Sequence, residues 1–238
     1  GRITSKLTLS YFTSDINAEI KEISTSEEFN PINQDPMQMI YNPDLREKNY
    51  IVINNSSTKP PCCLSDLRFY KNDVLLKPKY VSVNEAGSFV EAIFSTDESL
   101  DAKPAEFFES IPQDYEIGEN ECKITLESLY GVYNKDYGLH KALWQGLSYE
   151  NGLYYYCVDR NNNFDAIKIK CEQGINLNEL NKISFVNNIG NTYKGSYLTT
   201  DIKAQKLGDD GNIIASASLN ALTHNPQAYE LDLKGVEQ

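Results

Sequence analysis

The segment from Trp144 to Cys171 constrains the fold most, because its turns fix which side chains share a face. Asn151-Gly152 is the preferred pair for a two-residue type I′ turn, in which both central residues need a positive φ. A second turn over Asn161-Asn162 then predicts a three-stranded antiparallel meander in which Tyr156 pairs with Ile167.

Side chains alternate along these strands, so the meander has two faces. The first is apolar and rich in tyrosine, which predicts a core face made of Leu147, Tyr149, Tyr154, Tyr156, Val158, Ile167 and Ile169. The second mixes aromatic rings with polar groups and holds Trp144, Ser148, Glu150, Tyr155, Cys157, Asp159, Ala166 and Lys168. Flat rings beside hydrogen-bonding groups suit sugar recognition. Alternatively, Trp144, the only tryptophan, packs under a loop or against a second sheet.

The turn before the last strand also imitates a calcium loop. Its oxygen-bearing side chains stand at alternate positions, as a hard cation requires: Asp159, Asn161, Asn163 and Asp165. Phe164 stands where a calcium loop needs glycine, and Lys170 where it needs a bidentate glutamate. We therefore interpret this segment as a simple turn and predict no metal and no other cofactor.

The cysteines predict neither a zinc site nor a definite compartment. No Cys-x-x-Cys pair occurs among the five cysteines, and the chain has only two histidines. In the predicted register Cys157 and Cys171 lie roughly 16 Å apart along the strands, beyond the roughly 7 Å between Cα atoms that a disulfide spans. They should therefore not be bonded to each other. Cys62 and Cys63 are interpreted as alternating between two faces at a strand start.

Turn signals elsewhere predict more antiparallel strands. Hairpins are expected for Leu67–Leu76 across Lys71-Asn72-Asp73 and for Tyr80–Phe94 across residues 84–87. Further strands are predicted at 3–12, 50–53, 123–129, 183–186, 197–206, 212–219 and 229–233. Lys103–Ile111 is the best helix candidate, since a proline stands near its start and another follows its end.

The predicted fold class is therefore all-β, an antiparallel β-sandwich-like architecture of two units with one short helix. A boundary near Gly118 would divide an N-terminal β unit with a long irregular arm, residues 1–118, from a C-terminal sandwich-like unit, residues 119–238. Either unit is long enough to bury a core. No run of about 18 apolar residues occurs, so we predict no membrane span.

Charge and motifs narrow the function classes. The 34 acidic residues outnumber the 22 basic ones, which gives a net charge of −12 that would repel phosphate backbones. We therefore predict no nucleic-acid partner. Gly-x-Ser-x-Gly and the phosphate-binding glycine loops are absent, and neither His140 nor His224 lies in a catalytic motif. We predict no enzyme activity and no catalytic residues.

One short stretch resembles a known family. Gly195-Ser196-Tyr197-Leu198-Thr199-Thr200, followed by Ser216-Ala217-Ser218-Leu219-Asn220, looks like the repeat of cyanovirin-type lectins. The cysteine that this repeat carries after its first strand is replaced here by Ile202 or a neighbour. The resemblance covers a small part of the chain and transfers no binding residues.

The expected function is non-catalytic: an extracellular or surface-exposed binding or adhesion protein with lectin-like recognition of a glycan or protein surface. Trp144 and Tyr155 are the candidates for stacking, and Glu150, Asp159 and Lys168 for hydrogen bonding. The first alternative is a structural subunit of a virus particle, phage tail or surface fibre, with an exchanged N-terminal strand and a homo-oligomeric state. The second is a pore-forming toxin, on the strand-rich, Ser/Thr/Tyr-rich composition alone.

Overall fold

The computed structural model describes residues 50–57, 61–143, 155–159, 161–162, 164–186, 199–208, 212–220, 222 and 228–234. In these ranges the chain forms eleven strands and three 3₁₀ helices. The strands are β1 (Tyr50–Ser57), β2 (Cys63–Lys71), β3 (Val74–Val83), β4 (Phe89–Ser95), β5 (Glu121–Ser128), β6 (Tyr155–Cys157), β7 (Phe164–Gln173), β8 (Leu180–Val186), β9 (Thr199–Leu207), β10 (Ile213–Leu219) and β11 (Ala228–Asp232). The 3₁₀ helices are Ala105–Phe107, Lys135–Tyr137 and Leu139–Ala142. No helix in these ranges is long and apolar enough to cross a membrane.

The strands form one antiparallel, nearly closed, barrel-like sheet. Their order is β10-β9-β1-β7-β5-β4-β3-β2-β8-β11, and β6 pairs with β2 outside this path. The two end strands, β10 and β11, come within 8 Å of each other between Cα atoms. The predicted all-β, antiparallel class is confirmed, whereas a sandwich of two units is not seen among the described strands. The proposed division near Gly118 stays a prediction, although β4 and β5 on either side of it are directly paired.

Both predicted hairpins are confirmed. A tight turn is specified by its own few residues, so it can be predicted from the local sequence. Lys71 pairs with Val74, so Asn72 and Asp73 form a two-residue turn. Their φ angles are +49° and +67°, as a type I′ turn requires. The second hairpin joins β3 to β4 and is closed by the pair Val83 and Val90.

The predicted helix at Lys103–Ile111 is wrong beyond a single 3₁₀ turn at Ala105–Phe107. After this turn the backbone runs alongside β3 instead of coiling. The amide of Val81 donates to the carbonyl of Glu109 at 2.9 Å, and the amide of Ile111 donates to Ser82 Oγ at 2.9 Å. These contacts with β3 take the place of the hydrogen bonds a helix would make.

The predicted meander is also wrong in its second pairing. Tyr156 in β6 lies opposite Leu64 of β2, and β7 lies between β1 and β5. The first hairpin of the meander, with Trp144, Leu147, Tyr149, Glu150, Asn151, Gly152 and Tyr154, falls outside the described residues. The core assignment holds for its other members, because Tyr156, Val158, Ile167 and Ile169 are fully buried.

The core fills the inside of the sheet. Its side chains are the inward half of each alternating strand, including Ile51, Ile53, Val90, Ala92, Phe94, Ile124, Leu126, Ile167, Ile169, Ile202 and Ala204. The inward positions become polar towards one end, where Asn55, Ser128 and Asp165 replace apolar residues and remain buried. The barrel interior is therefore apolar in the middle and polar at this end.

One disulfide ties two of these strands together. Cys63 of β2 is bonded to Cys157 of β6, and Cys62, Cys122 and Cys171 are free. Cys157 and Cys171 are thus not bonded to each other, as predicted, although their strands are not the neighbours the sequence suggested. Cys62 lies in the main core whereas Cys63 lies in a small cluster with Tyr155, which confirms that the adjacent thiols alternate between faces.

Candidate functional site

The structure distributes the predicted site residues over two surfaces. Lys168 lies on the outer face of β7, and Tyr155 and Asp159 lie at β6 and just after it. Trp144 and Glu150 fall outside the described residues. These two surfaces have different surroundings.

Lys168 lines a depression on the outer face of β4, β5 and β7. We call it the sheet-face depression, and its lining residues are Phe89, Thr125, Glu127, Lys168, Lys170 and Glu172. Strand register brings them together, because Phe89 lies opposite Glu127, and Glu127 lies opposite Lys168. Alternation places all six on the outer side, since the intervening residues point into the core.

Charged and polar groups in the sheet-face depression hold one another in place. Thr125 Oγ1 donates to Glu172 Oε1 at 3.3 Å, and Lys170 Nζ lies 3.4 Å from the same oxygen. Lys168 is only 8% exposed, and its ammonium lies 5.1 Å from the centre of the Tyr50 ring, a cation–π distance. The donors and acceptors are therefore ordered before any ligand arrives.

An aromatic ring stands beside these groups. Phe89 is the first residue of β4, and this residue is 37% exposed. A ring next to ordered carboxylates and ammonium groups can stack on the apolar face of a sugar while the polar groups bind its hydroxyls.

The second surface is a cluster of three tyrosines beside the disulfide, made of Tyr133, Tyr137 and Tyr155. The ring centroids of Tyr133 and Tyr137 lie 5.4 Å apart, and those of Tyr137 and Tyr155 lie 5.2 Å apart. Tyr155 is buried under the other two, whereas Tyr133 is 39% exposed. The amide of Tyr133 donates to the carbonyl of Cys157 at 3.0 Å, which fixes the cluster on β6.

Sequence reasoning missed the exposed Tyr133 and the half-buried Tyr137 of this cluster. Tyr133 and Tyr137 are four residues apart in Tyr133-Asn134-Lys135-Asp136-Tyr137, a spacing that brings rings together on one turn. It also missed Phe89, Thr125, Glu127, Lys170 and Glu172 as neighbours of Lys168. That set required the pairing of β4, β5 and β7, which no local signal contains.

The calcium-like segment is a turn where it is described. The amide of Asn162 donates to the carbonyl of Asp159 at 2.9 Å, and the amide of Asn161 donates to Asp159 Oδ1 at 3.2 Å. Asp159 is exposed and Asp165 is fully buried. Among the described residues, no group of three or more His, Cys, Asp or Glu side chains could hold a metal ion.

No protein-family model matches the chain, and no curated protein or solved structure is significantly similar to it. The short stretch that resembles cyanovirin-type lectins lies partly in β9 and β10, which are paired, and partly outside the described residues. That resemblance assigns no family to the chain.

Proposed function

We propose that this protein is a non-catalytic binding module that recognises a glycan through the sheet-face depression. One observation carries the proposal: an exposed ring, Phe89, borders a concave patch of charged and hydroxyl groups that includes Lys168 and Glu127. Aromatic stacking and hydrogen bonding from one rigid surface are the two contributions that a sugar-binding site combines.

The rigidity of the surface supports the proposal. β4 and β5 are paired along seven successive residues, and β5 pairs with β7 on its other side. A site on paired strands is preorganised, so less free energy is lost in ordering side chains when a ligand binds. Weakly binding ligands such as single sugars depend on this advantage.

The proposed location is extracellular or surface-exposed. The disulfide between Cys63 and Cys157 supports it, because such bonds persist mainly in oxidising compartments. The net charge of −12 is compatible with a neutral or cationic glycan more than with a strongly anionic one.

Substitution of Phe89 tests the proposal. A fluorescently labelled protein is applied to a glycan array, and the best ligand is titrated by calorimetry against the wild type and Phe89→Ala. Removal of the stacking ring should weaken binding roughly tenfold. Phe107→Ala is the matched control, because that ring is 66% exposed on a 3₁₀ helix outside the depression.

The outcomes separate the two surfaces. Binding that Phe89→Ala weakens and Phe107→Ala leaves unchanged supports the sheet-face depression. Binding that is lost in Tyr133→Ala and retained in Phe89→Ala would assign the ligand to the tyrosine cluster instead. Absence of any array ligand, or equal affinity in all variants, would reject glycan recognition.

A structural subunit is the second candidate, and the end strand β10 favours it. Ile213 and Ile214 at the start of this strand are exposed, and β10 pairs on one side only among the described strands. An exposed strand edge can pair with another chain. A protein that remains monomeric at millimolar concentration in light scattering would exclude assembly through this edge.

A further inference from the structure

The polar end of the barrel interior contains a carboxylate that has no charge partner among the described residues. Asp165 points inward from β7 and lies directly opposite Asn55 of β1. Asp165 is 0% exposed, and neither of its carboxylate oxygens has a hydrogen bond of good geometry. Buried carboxylates are normally paired or hydrogen-bonded, so this one needs an explanation.

Several neighbouring donors are committed elsewhere, whereas the side-chain amide nitrogen of Asn55 has no hydrogen-bond partner. Cys62 Sγ donates to Asn55 Oδ1 at 2.6 Å, and Thr199 Oγ1 donates to the carbonyl of Cys63 at 2.6 Å. Ser128 Oγ donates to the carbonyl of Gly131 at 2.8 Å. Ser128 Oγ also lies 2.8 Å from Tyr156 Oη, a contact in which either hydroxyl can donate.

In the structure none of these hydroxyl or thiol groups makes a hydrogen bond to either carboxylate oxygen of Asp165. A fully buried carboxylate that accepts no hydrogen bond is unfavourable when it is ionised, so the site favours the neutral acid.

Among the residues that the structure describes, the titratable groups around Asp165 are all neutral at mildly acidic pH. These groups are Cys62 in the segment before β2, Tyr156 in β6, and Tyr130 in the loop after β5. Burial raises the pKa of each of these three groups, and the charge of Asp165 raises it further. β1 contributes Asn55 and β9 contributes Thr199, which do not titrate; no described lysine, arginine or histidine perturbs Asp165.

Desolvation therefore dominates at this carboxyl. Burial raises the pKa of Asp165 from 3.8 to about 7, and the nearby Tyr156 hydroxyl and Ala166 amide offset only part of the rise.

We infer that Asp165 is an internal proton-binding site: the folded barrel holds it as a neutral carboxylic acid in mildly acidic solution, and its stability falls as pH rises because the unfolded chain gives up this proton first. This proton-binding site is independent of the proposed glycan site, because Asp165 lies inside the barrel and the sheet-face depression lies on its outer face. It makes the folded protein a sensor of the change from acidic to neutral surroundings.

The direction of the effect follows from proton linkage. Between the unfolded and the folded pKa, the unfolded chain is ionised at Asp165 and the folded chain is not, so folding takes up one proton. The contribution of Asp165 to stability is fully present below the unfolded pKa of 3.8 and is lost as pH rises through the folded pKa of about 7. Within this window the folding equilibrium constant falls by about tenfold per pH unit.

Urea unfolding of the wild type and Asp165→Asn between about pH 5 and pH 8 tests the inference. The asparagine keeps the shape of the side chain and cannot ionise, so its midpoint should change little where that of the wild type falls. Asp159→Asn, an exposed carboxylate in the same β6–β7 connection, should keep the slope of the wild type. Other carboxylates also titrate in this pH range. The effect of Asp165 is therefore read from the difference in urea midpoint between the wild type and Asp165→Asn at each pH.

A second measurement does not depend on the variant folding. Infrared difference spectra of the wild type between about pH 5.5 and pH 8, with ¹³C-labelled aspartate, should show the carbonyl band of one protonated aspartic acid that disappears as pH rises. Absence of that band would overturn the inference, as would equal pH slopes in the wild type and Asp165→Asn. Stabilisation at pH 8 by added potassium or calcium, in the wild type alone, would likewise overturn it and make Asp165 a cation ligand.

Discussion

At the scale of single residues, Gly174 shows how closely the chain just after β7 approaches the start of β5. It has φ +71°, and a Cβ added there would clash with the carbonyl oxygen of Glu121 and lie 3.1 Å from Cys122 Cα. Both atoms are backbone and cannot move aside. We expect Gly174→Ala to lower the free energy of unfolding by at least about 3 kcal/mol, from backbone strain and the clash together.

Gly131 provides the matched control for this prediction. Its φ is +77°, yet a Cβ added there would meet nothing within 4 Å. Gly131→Ala should therefore cost only the left-handed conformation, about 1 to 2 kcal/mol. Urea midpoints of the two variants measure the difference, and equal losses would show that the contact with β5 does not restrict Gly174.

The sequence predicted part of the candidate site at this scale. Alternation along β7 correctly placed Lys168 on the face opposite Ile167 and Ile169. It could not indicate that Phe89 and Glu127 would be neighbours of Lys168, because these residues come from β4 and β5 and meet β7 only through long-range pairing. Local patterns give the direction of a side chain, and the partners of its strand decide its environment.

At the scale of elements, the sequence predicted what is local and missed what is distant. The turn at Asn72-Asp73 was predictable because its two residues alone determine the chain reversal. The pairing of β6 with β7 was expected from a turn over Asn161-Asn162, which would make these consecutive strands neighbours. The structure instead inserts β7 between β1 and β5, and β6 is too short, at three residues, to compete for it.

Such a short strand depends on the disulfide between Cys63 and Cys157. β6 has three paired residues, and the bond joins it to β2 across 94 positions of the chain. We expect the double substitution Cys63→Ala and Cys157→Ala to lower the free energy of unfolding by about 2 to 5 kcal/mol, because the unfolded chain gains conformational entropy. Hydrogen exchange should increase first at the amides of β6.

Two measurements check the disulfide prediction. A thiol-reactive dye should label three cysteines in the denatured protein and all five after reduction, since Cys62, Cys122 and Cys171 are free. A reducing agent should destabilise the wild type and have no effect on the double variant. Five reactive thiols before reduction would show that the bond does not form.

At the scale of the whole molecule, the two ends of the sheet differ in how they are protected from association. β11 carries Glu230 and Asp232, and charges on an end strand discourage pairing with another chain. β10 has no charged residue from Ile213 to Leu219. Repulsion between molecules of net charge −12 is then the main barrier to pairing through β10.

This contrast predicts association that depends on salt and pH. Added salt screens the repulsion over about 8 Å at physiological ionic strength, and acidification removes negative charge, so both should increase the mass measured by light scattering. Ile214→Lys should suppress this association, because it places a charge on an exposed position of β10. Val74→Lys, at an exposed position in the hairpin between β2 and β3, is the control and should leave it unchanged. Equal suppression by both variants would mean that net charge alone governs association, and the β10 edge would then have no specific part in assembly.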